Sequence, residues 1–167
     1  MQGHDQIGPQ RYRESFGRYY DDFVVGDVYE HRPGRTITES DNTWFTLITM
    51  NTHPLHFDKE YAAKSEFKRP LVNSCLTLSM VVGMSVSDIS QKAIGNLGWN
   101  DIRLVAPVFI GDTIYAESEV LSKRASAKRP TQGIVTVRTT GRKADGTVFM
   151  TFERTVLVPK RGHGVDD

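Results

Sequence analysis

The chain has 167 residues, which suits one domain with a substantial core, and its 38% hydrophobic and 25% charged residues are typical of a soluble globular protein. Its 21 lysines and arginines balance 20 acidic residues, which excludes a global field that would attract nucleic acid or an anionic membrane. The single cysteine, Cys75, excludes an intramolecular disulfide, and its apolar surroundings in the sequence predict a packed, unreactive thiol.

Local patterns predict one domain of helices and strands over residues 16–160, with a flexible segment at each terminus. Apolar periodicity, capping residues and turn signals set the expected boundaries. In chain order we expect a flexible arm over residues 1–15, a strand over 28–38, a helix from a cap at 38 or 40 to about 50, a short helix over 59–63, a buried helix over 76–89, strands over 100–108, 113–124, 133–142 and 148–158, and a tail over 161–167.

The longest apolar segment predicts the buried helix. Asn73 or Ser74 is suited to cap it, and from Leu76 to Ile89 apolar residues fall on nearly every face. The strands are separated by turn signals, of which Gly111-Asp112 and Asp145-Gly146 are predicted hairpin turns. Together these patterns predict an α+β fold, with an antiparallel sheet of about five strands around one buried helix.

The densest cluster of reactive side chains is Thr49-Met-Asn-Thr-His-Pro-Leu-His-Phe-Asp58. His56 in this segment is the candidate acid/base, because an imidazole titrates near neutral pH and can transfer a proton in both directions. The alternative is a neutral histidine that is hydrogen-bonded beside a turn. His53 and His56 alone make a poor metal site and no third ligand follows at a recognisable spacing, so no metal is expected.

This segment resembles the motif of the MaoC-like dehydratases, the family that includes the R-specific enoyl-CoA hydratases. The family motif is an aspartate, then Asn-Pro, an aliphatic residue and a histidine. The positions that carry the resemblance are Asn51, His53, Pro54, Leu55 and His56, with Phe23–Asp27, Phe67–Val72 and Ala106–Asp112 elsewhere in the chain. Within the family the chain looks most like hydratases of itaconyl-CoA or mesaconyl-CoA.

The resemblance implies a single hot-dog domain, in which a curved antiparallel sheet wraps one long helix. It also implies a hydratase or dehydratase that adds water reversibly across the double bond of a short, branched or dicarboxylic enoyl-CoA. The CoA thioester is then a substrate, and no cofactor is expected, since no dinucleotide fingerprint is present. Hot-dog domains commonly pair edge to edge with the site between subunits, so a homodimer or higher homo-oligomer is expected.

The resemblance also assigns roles to single residues. Asn51 stands where the hydratases carry aspartate, and a carboxamide cannot accept and return a proton, so we expect it to position water or orient His56. The imidazole would act alone or with a carboxylate of Asp58, Glu39 or Asp41, each of which is equally suited to start a helix. The backbone N–H of Ser74, beside Asn73, is expected to stabilise the thioester oxyanion.

Three further expectations concern ligands and location. His53 is expected to line the substrate pocket or to hydrogen-bond the loop. Basic residues are expected to hold the CoA nucleotide, often from the neighbouring subunit, and the alternative for each is a solvated surface charge; they are Arg103, Lys128 and Arg129. Because no N-terminal apolar run resembles a signal peptide and no apolar segment is long enough to span a membrane, the expected compartment is the cytoplasm.

Two other functions remain open at this point. A hot-dog thioesterase would need a carboxylate on the buried helix, where Asp88 is the only one and lies near the far end. A non-catalytic acyl-CoA-binding subunit would account for the loss of the motif aspartate at position 51.

Overall fold

The computed structural model describes residues 3–165, which form seven strands and three α-helices. The elements are β1 (Gly3–Gly8), β2 (Arg11–Ser15), β3 (Val28–Thr36), α1 (Glu39–Ile48), α2 (Lys59–Lys64), α3 (Ser74–Met84), β4 (Gly95–Leu104), β5 (Thr113–Ala125), β6 (Gln132–Lys143) and β7 (Val148–Pro159). Short helical turns lie at Tyr20–Asp22, Pro54–His56 and Val86–Ser90, the last of them π-helical.

The main sheet has five antiparallel strands in the order β3-β5-β6-β7-β4, which confirms the predicted fold class. The turn at Asp145-Gly146 joins β6 to β7 as predicted, with Gly146 at a φ of 88°. The hairpin predicted at Gly111-Asp112 is wrong, because β4 lies at an edge beside β7 and β5 lies between β3 and β6. The Asp112 carboxylate instead accepts a hydrogen bond from the Phe109 N–H at 3.0 Å, which closes the turn locally.

Helix α3 packs against β3 and β5 of this sheet and is capped as predicted. The Asn73 side-chain oxygen accepts a hydrogen bond from the Cys75 N–H at 2.9 Å. The helix ends at Met84, and the rest of the predicted segment forms the π-helical turn. One stripe of α3, comprising Cys75, Ser79 and Gly83, faces away from the sheet and is exposed. The prediction of a packed thiol is therefore wrong, because Cys75 starts this stripe.

The first strands form a hairpin where the sequence predicted a flexible arm. β1 pairs antiparallel with β2, from Gly3 opposite Ser15 inward. Nearly every residue of the two strands is exposed, so no alternation of apolar and polar residues marked them in the sequence. Residues 1–2 and 166–167 lie outside the described residues. Within residues 3–165, none of the helices has the length and apolar character that a membrane crossing requires.

The core consists of two apolar clusters separated by a layer of buried polar side chains. One cluster surrounds the first turns of α3 and the other surrounds Phe23 and Ile89. The layer between them contains His31, Asp88, Ser118, Thr139 and Arg154. Such groups are tolerated in a core only when their hydrogen bonds are largely satisfied.

Arg154 is the largest side chain in that layer and is 0% exposed. Its guanidinium donates to the hydroxyl oxygens of Ser85 at 3.0 Å and Ser90 at 3.4 Å, which follow the C-terminal end of α3. The partial negative charge at a helix C-terminus favours a cation in this place. Burial lowers the pKa of Arg154 to about 10, so the side chain is still charged at neutral pH.

Candidate active site

The reactive segment is a tight turn whose backbone is held by its own side chains. The Asn51 side-chain oxygen accepts a hydrogen bond from the His53 N–H at 2.9 Å, and His53 Nδ1 accepts one from the Leu55 N–H at 3.2 Å. Pro54 then opens the short helical turn that carries His56, since its fixed φ suits a first helical position. The sequence therefore places His56 at a defined point between α1 and α2.

The hydrogen bonds of His56 define its tautomer. Its Nδ1 lies 2.9 Å from the carbonyl oxygen of Leu71. A carbonyl oxygen only accepts, so Nδ1 carries the hydrogen and the neutral ring presents a lone pair at Nε2. Nε2 has no hydrogen-bond partner among residues 3–165. In that range the only fully buried side-chain nitrogen or oxygen without a partner is Arg154 Nε, so Nε2 of His56 is not fully buried. His56 can therefore act as a base at Nε2.

The predicted oxyanion donor lies at the first residue of α3. Ser74 follows the cap residue Asn73, and its N–H makes no hydrogen bond to the described residues. An unpaired N–H at a helix N-terminus carries partial positive charge and is suited to stabilise a developing oxyanion.

Ser74 also lines a cavity of about 250 Å³ between α3 and the end of β4. The wall is largely apolar, and Leu71, whose carbonyl holds His56, belongs to it. The lining residues are Phe67, Leu71, Val72, Ser74, Thr77, Leu104, Val105, Ala106, Pro107, Val108 and Phe149. His56 is not among the lining residues, but its hydrogen bond to the Leu71 carbonyl places it directly beside the wall.

His53 lies beside His56, with the two ring centroids 5.8 Å apart, but it is exposed and is not part of the cavity wall. Because its Nδ1 accepts the Leu55 N–H, the ring is neutral and its Nε2 carries the hydrogen. In this form His53 can donate a hydrogen bond through Nε2, while its Nδ1 lone pair is already engaged. The structure thus gives His53 and His56 opposite tautomers. Among residues 3–165, no three metal-ligating side chains of His, Cys, Asp or Glu converge.

The three carboxylates considered as partners of His56 all have helix-start roles. Asp58 accepts the Tyr61 N–H at 3.0 Å, and Glu39 pairs with Lys59 at 2.9 Å. Asp41 accepts from the Thr38 N–H and hydroxyl, and the backbone hydrogen bond from Thr38 is the main cause that lowers its pKa. None of the three hydrogen-bonds to His56, so the imidazole has no carboxylate partner in residues 3–165.

Asp88 lies at the opposite end of α3 from Ser74, in the buried polar layer. Its carboxylate lies 2.8 Å from His31 Nδ1 and 3.2 Å from Arg18 Nη1. Burial alone would raise the pKa of Asp88, but the hydrogen bonds from His31 and Arg18 outweigh it and hold the pKa below its usual value. A carboxylate engaged in this way, outside the cavity, is not placed to activate water on a thioester.

The predicted CoA-binding residues lie in two places. Arg103 is exposed on β4, just before Leu104 and Val105 of the cavity wall, and pairs with Asp101 at 2.8 Å. Lys128 and Arg129 lie in the loop between β5 and β6, at the far end of the sheet. β5 has 13 residues, so this loop is roughly 40 Å along the strand from the cavity end at about 3.3 Å per residue. Within one chain they do not join the cavity.

One residue near the site was not predicted. Asn42 of α1 is fully buried and hydrogen-bonds the backbone at His56, Leu71 and Asn73. An asparagine inside a helical segment gives no local signal of such contacts, which arise only when distant segments fold together.

Comparisons with known proteins agree on this architecture. The family model described as mesaconyl-CoA hydratase matches residues 9–167. A mesaconyl-CoA hydratase of Cereibacter sphaeroides is 31% identical over 145 residues, which cover 87% of this chain and 42% of that protein. The chain thus spans less than half the length of that relative.

Two further proteins match over their domains. An (R)-specific enoyl-CoA hydratase of Rhodospirillum rubrum is 31% identical over 147 residues, which cover 86% of this chain and 94% of that protein. A Mycobacterium tuberculosis protein with a double hot-dog fold superposes with a TM-score of 0.81 at 25% identity, over 89% of this chain and 47% of that one. The resemblance predicted from the sequence is confirmed: this chain is a hot-dog domain of the MaoC-like type and belongs to the mesaconyl-CoA hydratase family.

Proposed function

We propose that the protein is a hydro-lyase that reversibly adds water across the double bond of a short enoyl-CoA, with His56 as the acid/base. The observation that carries the proposal is the hydrogen-bonding of His56, which fixes the hydrogen on Nδ1 and leaves Nε2 free. Ser74, whose N–H has no partner among residues 3–165, lines the neighbouring cavity and is proposed as the second group that the reaction needs.

In the proposed hydration, water gives a proton to His56 Nε2 while its oxygen bonds to the β-carbon. The electron pair of the double bond moves toward the thioester carbonyl, and the Ser74 N–H stabilises the negative charge on that oxygen. The imidazolium then returns the proton to the α-carbon, which restores neutral His56. One imidazole serves as base and acid in turn, so a carboxylate at position 51 is not required.

Asn51 and His53 support this step without transferring protons. The Asn51 oxygen is engaged by the His53 N–H, while its amide nitrogen has no partner among residues 3–165 and is available to hold the attacking water. His53 stiffens the turn through Leu55. The proposal thus keeps Asn51 as a positioning group and gives His53 a structural part.

The cavity favours a short acyl group. Its volume of about 250 Å³ lies below the roughly 300–1,000 Å³ of pockets for drug-sized ligands. No lysine or arginine lines it in the described chain, so the branched apolar part of a mesaconyl-type substrate fits the wall better than its free carboxylate does. The chain is proposed to accept short, branched or dicarboxylic enoyl-CoAs, with no cofactor.

A second copy of the chain is proposed to complete the site. The edge strand β4 exposes a row of large apolar side chains, which an isolated subunit would leave in water. They are Leu97, Trp99, Ile102 and Leu104, with Val105 just beyond the strand. The match to about half of a double hot-dog protein supports a second hot-dog unit beside this one.

This pairing also gives the distant basic loop a role. If two copies of β4 pair antiparallel, the start of one strand lies beside the end of the other. The loop of the partner subunit, with Lys128 and Arg129 of the partner subunit, then approaches the cavity from the side of Arg103. These three residues are proposed to hold the CoA phosphates.

Sedimentation of Trp99→Lys tests the pairing, with Val28→Lys on the opposite edge strand as the matched control, since Val28 is similarly exposed at 54%. The parent and the control should be dimers or larger, and Trp99→Lys should be a monomer. A monomeric parent would contradict the pairing.

The reaction is tested by incubating the pure protein with mesaconyl-CoA, itaconyl-CoA and uncharged branched enoyl-CoAs, and measuring the masses of the products by mass spectrometry. A mass gain of one water supports the hydratase. Release of free CoA would show a thioesterase, and binding with neither change would show a non-catalytic subunit. The engaged state of Asp88 disfavours the thioesterase.

A further inference from the structure

We propose that Asn42 is a positioning residue, whose carboxamide holds the turn of His56 and the N-terminus of α3 in one fixed geometry. The role rests on the proposed function, because it is defined by the base and the oxyanion donor of that reaction. Asn42 itself lies on α1, is 0% exposed and is not part of the cavity wall.

One carboxamide bonds three separate points of the backbone. Asn42 Nδ2 donates to the His56 carbonyl at 2.8 Å and to the Leu71 carbonyl at 3.3 Å. Asn42 Oδ1 accepts the Asn73 N–H at 2.8 Å. The first bond fixes the residue that carries the base, and the last fixes the cap residue that precedes Ser74.

The Leu71 carbonyl is the point where these contacts meet. It accepts from Asn42 Nδ2 and also from His56 Nδ1, at 2.9 Å. Its position therefore decides whether Nδ1 keeps its hydrogen, and hence whether Nε2 has the lone pair that a base requires. By holding this carbonyl, Asn42 controls the tautomer of an imidazole that it does not touch.

The chemistry of the three bonds requires an asparagine. Aspartate has the same shape and accepts from the Asn73 N–H, but it cannot donate to the two carbonyls. Asn42→Asp should therefore keep the link to α3 and break the links to His56 and Leu71. Since misplacement by about 1 Å costs on the order of 100-fold in rate, loss of these links should affect turnover.

Thr46 provides a matched control one turn further along α1. It is also 0% exposed, and its hydroxyl oxygen accepts from Asn73 Nδ2 at 3.4 Å. Thr46→Val removes a buried hydrogen bond from the same helix without contact to His56 or Leu71. An effect that belongs only to general packing should appear in both variants.

The test is the two-bond proton–nitrogen NMR spectrum of protein labelled with ¹⁵N-histidine, with His56→Gln used to assign the His56 signals. The parent and Thr46→Val should show His56 with hydrogen on Nδ1, and Asn42→Asp should show a mixture of tautomers. In parallel, kcat for mesaconyl-CoA should fall about 10- to 100-fold in Asn42→Asp, with KM within about threefold of the parent.

If folded Asn42→Asp keeps both the parental tautomer and the parental kcat, the inference is overturned. Should this variant not fold, Asn42→Ser replaces it, because a serine hydroxyl is too short to span all three contacts, and the same outcomes decide. A tautomer change in a protein that hydrates no acyl-CoA would refute the proposed function while confirming the hold of Asn42 on His56. A parental tautomer with a lost kcat would assign Asn42 to packing and overturn the inference.

Discussion

Two histidines of this domain, His31 and His56, are both buried and yet are held in opposite ways. His31 is 0% exposed, its Nδ1 lies 2.8 Å from the Asp88 carboxylate and its Nε2 lies 2.8 Å from the Ser118 hydroxyl. His56 has one nitrogen bonded to a backbone carbonyl, and the other has no partner within residues 3–165. The first imidazole is fully satisfied, whereas the second retains a reactive atom.

The difference shows that a chain of hydrogen-bonded catalytic residue types does not by itself make an active site. Carboxylate, imidazole and hydroxyl follow each other from Asp88 through His31 to Ser118 in the order of a nucleophilic triad. His31 and Ser118 are both 0% exposed, and the Ser118 hydroxyl is bonded further to Thr139 at 2.8 Å. The chain of hydrogen bonds therefore stabilises the polar layer of the core, while the imidazole with fewer partners is the one available for chemistry.

The largest expected effect separates the two histidines by activity. His56→Ala should lower the turnover of mesaconyl-CoA by about 10²–10⁴-fold, the usual contribution of a positioned acid/base. The free energy of unfolding should change by less than about 2 kcal/mol, because the side chain donates one hydrogen bond, to the Leu71 carbonyl. Steady-state kinetics and urea unfolding measure the two quantities, and near-parental turnover would contradict the assignment.

Substitution of the other histidine, His31, should lower the free energy of unfolding and leave turnover nearly unchanged. His31→Ala breaks a buried pair and leaves the Asp88 carboxylate without one of its partners, so we expect a loss of about 3–5 kcal/mol. The folded fraction should keep kcat within about threefold of the parent. His163→Ala, at an exposed position, is the control for removal of an imidazole. A stable His31→Ala protein without activity would contradict the assignment of His31 to stability and not to catalysis.

The interaction of Asp88 with His31 should also affect the pH dependence of the free energy of unfolding. The pKa of Asp88 is lower in the folded chain than its ordinary value of 3.8. The carboxylate therefore contributes stability above that value, and the contribution is lost as the pH falls through the folded-state pKa. Between about pH 4 and pH 2 the parent should lose more unfolding free energy than Asp88→Asn. Parallel losses, followed by urea unfolding at each pH, would show that Asp88 is not linked to folding.

The smallest effect on the free energy of unfolding is expected for Arg154, the other charged side chain of the polar layer. Arg154 has no carboxylate within salt-bridge distance in residues 3–165, and its Nε lacks a hydrogen bond. Replacing a desolvated charge by an apolar side chain of similar length is often neutral or stabilising. Arg154→Met should therefore lie within about 1 kcal/mol of the parent or above it. A loss comparable with that of His31→Ala would show that the guanidinium stabilises the layer.

The sequence was sufficient for those features that depend on local patterns. Alternating β-branched residues marked β5, β6 and β7, and the caps Thr38, Asp58 and Asn73 mark helix starts in the structure as predicted. The reactive turn was also found from the sequence, because imidazoles beside a proline stand out locally. In each case the information lies within a few residues.

Features that depend on distant contacts were missed. The partners of Asn42 lie 14, 29 and 31 residues away along the chain, and those of His31 lie 57 and 87 residues away. Arg154 lies on the buried face of β7, between Phe152 and Val156, where a sequence pattern would not expect a charge. The N-terminal hairpin has exposed strands, so no apolar alternation accompanies it.

The proposed function depends on proton transfer between Nε2 of His56 and the bound acyl group. A crystal structure of the protein with a bound 3-hydroxyacyl-CoA tests it most directly. We expect Nε2 to lie within about 3.2 Å of the β-hydroxyl oxygen, with the thioester oxygen at hydrogen-bond distance from the Ser74 N–H. A ligand whose β-carbon lies away from the His56 ring, or a ring turned so that Nε2 faces protein backbone, would contradict it.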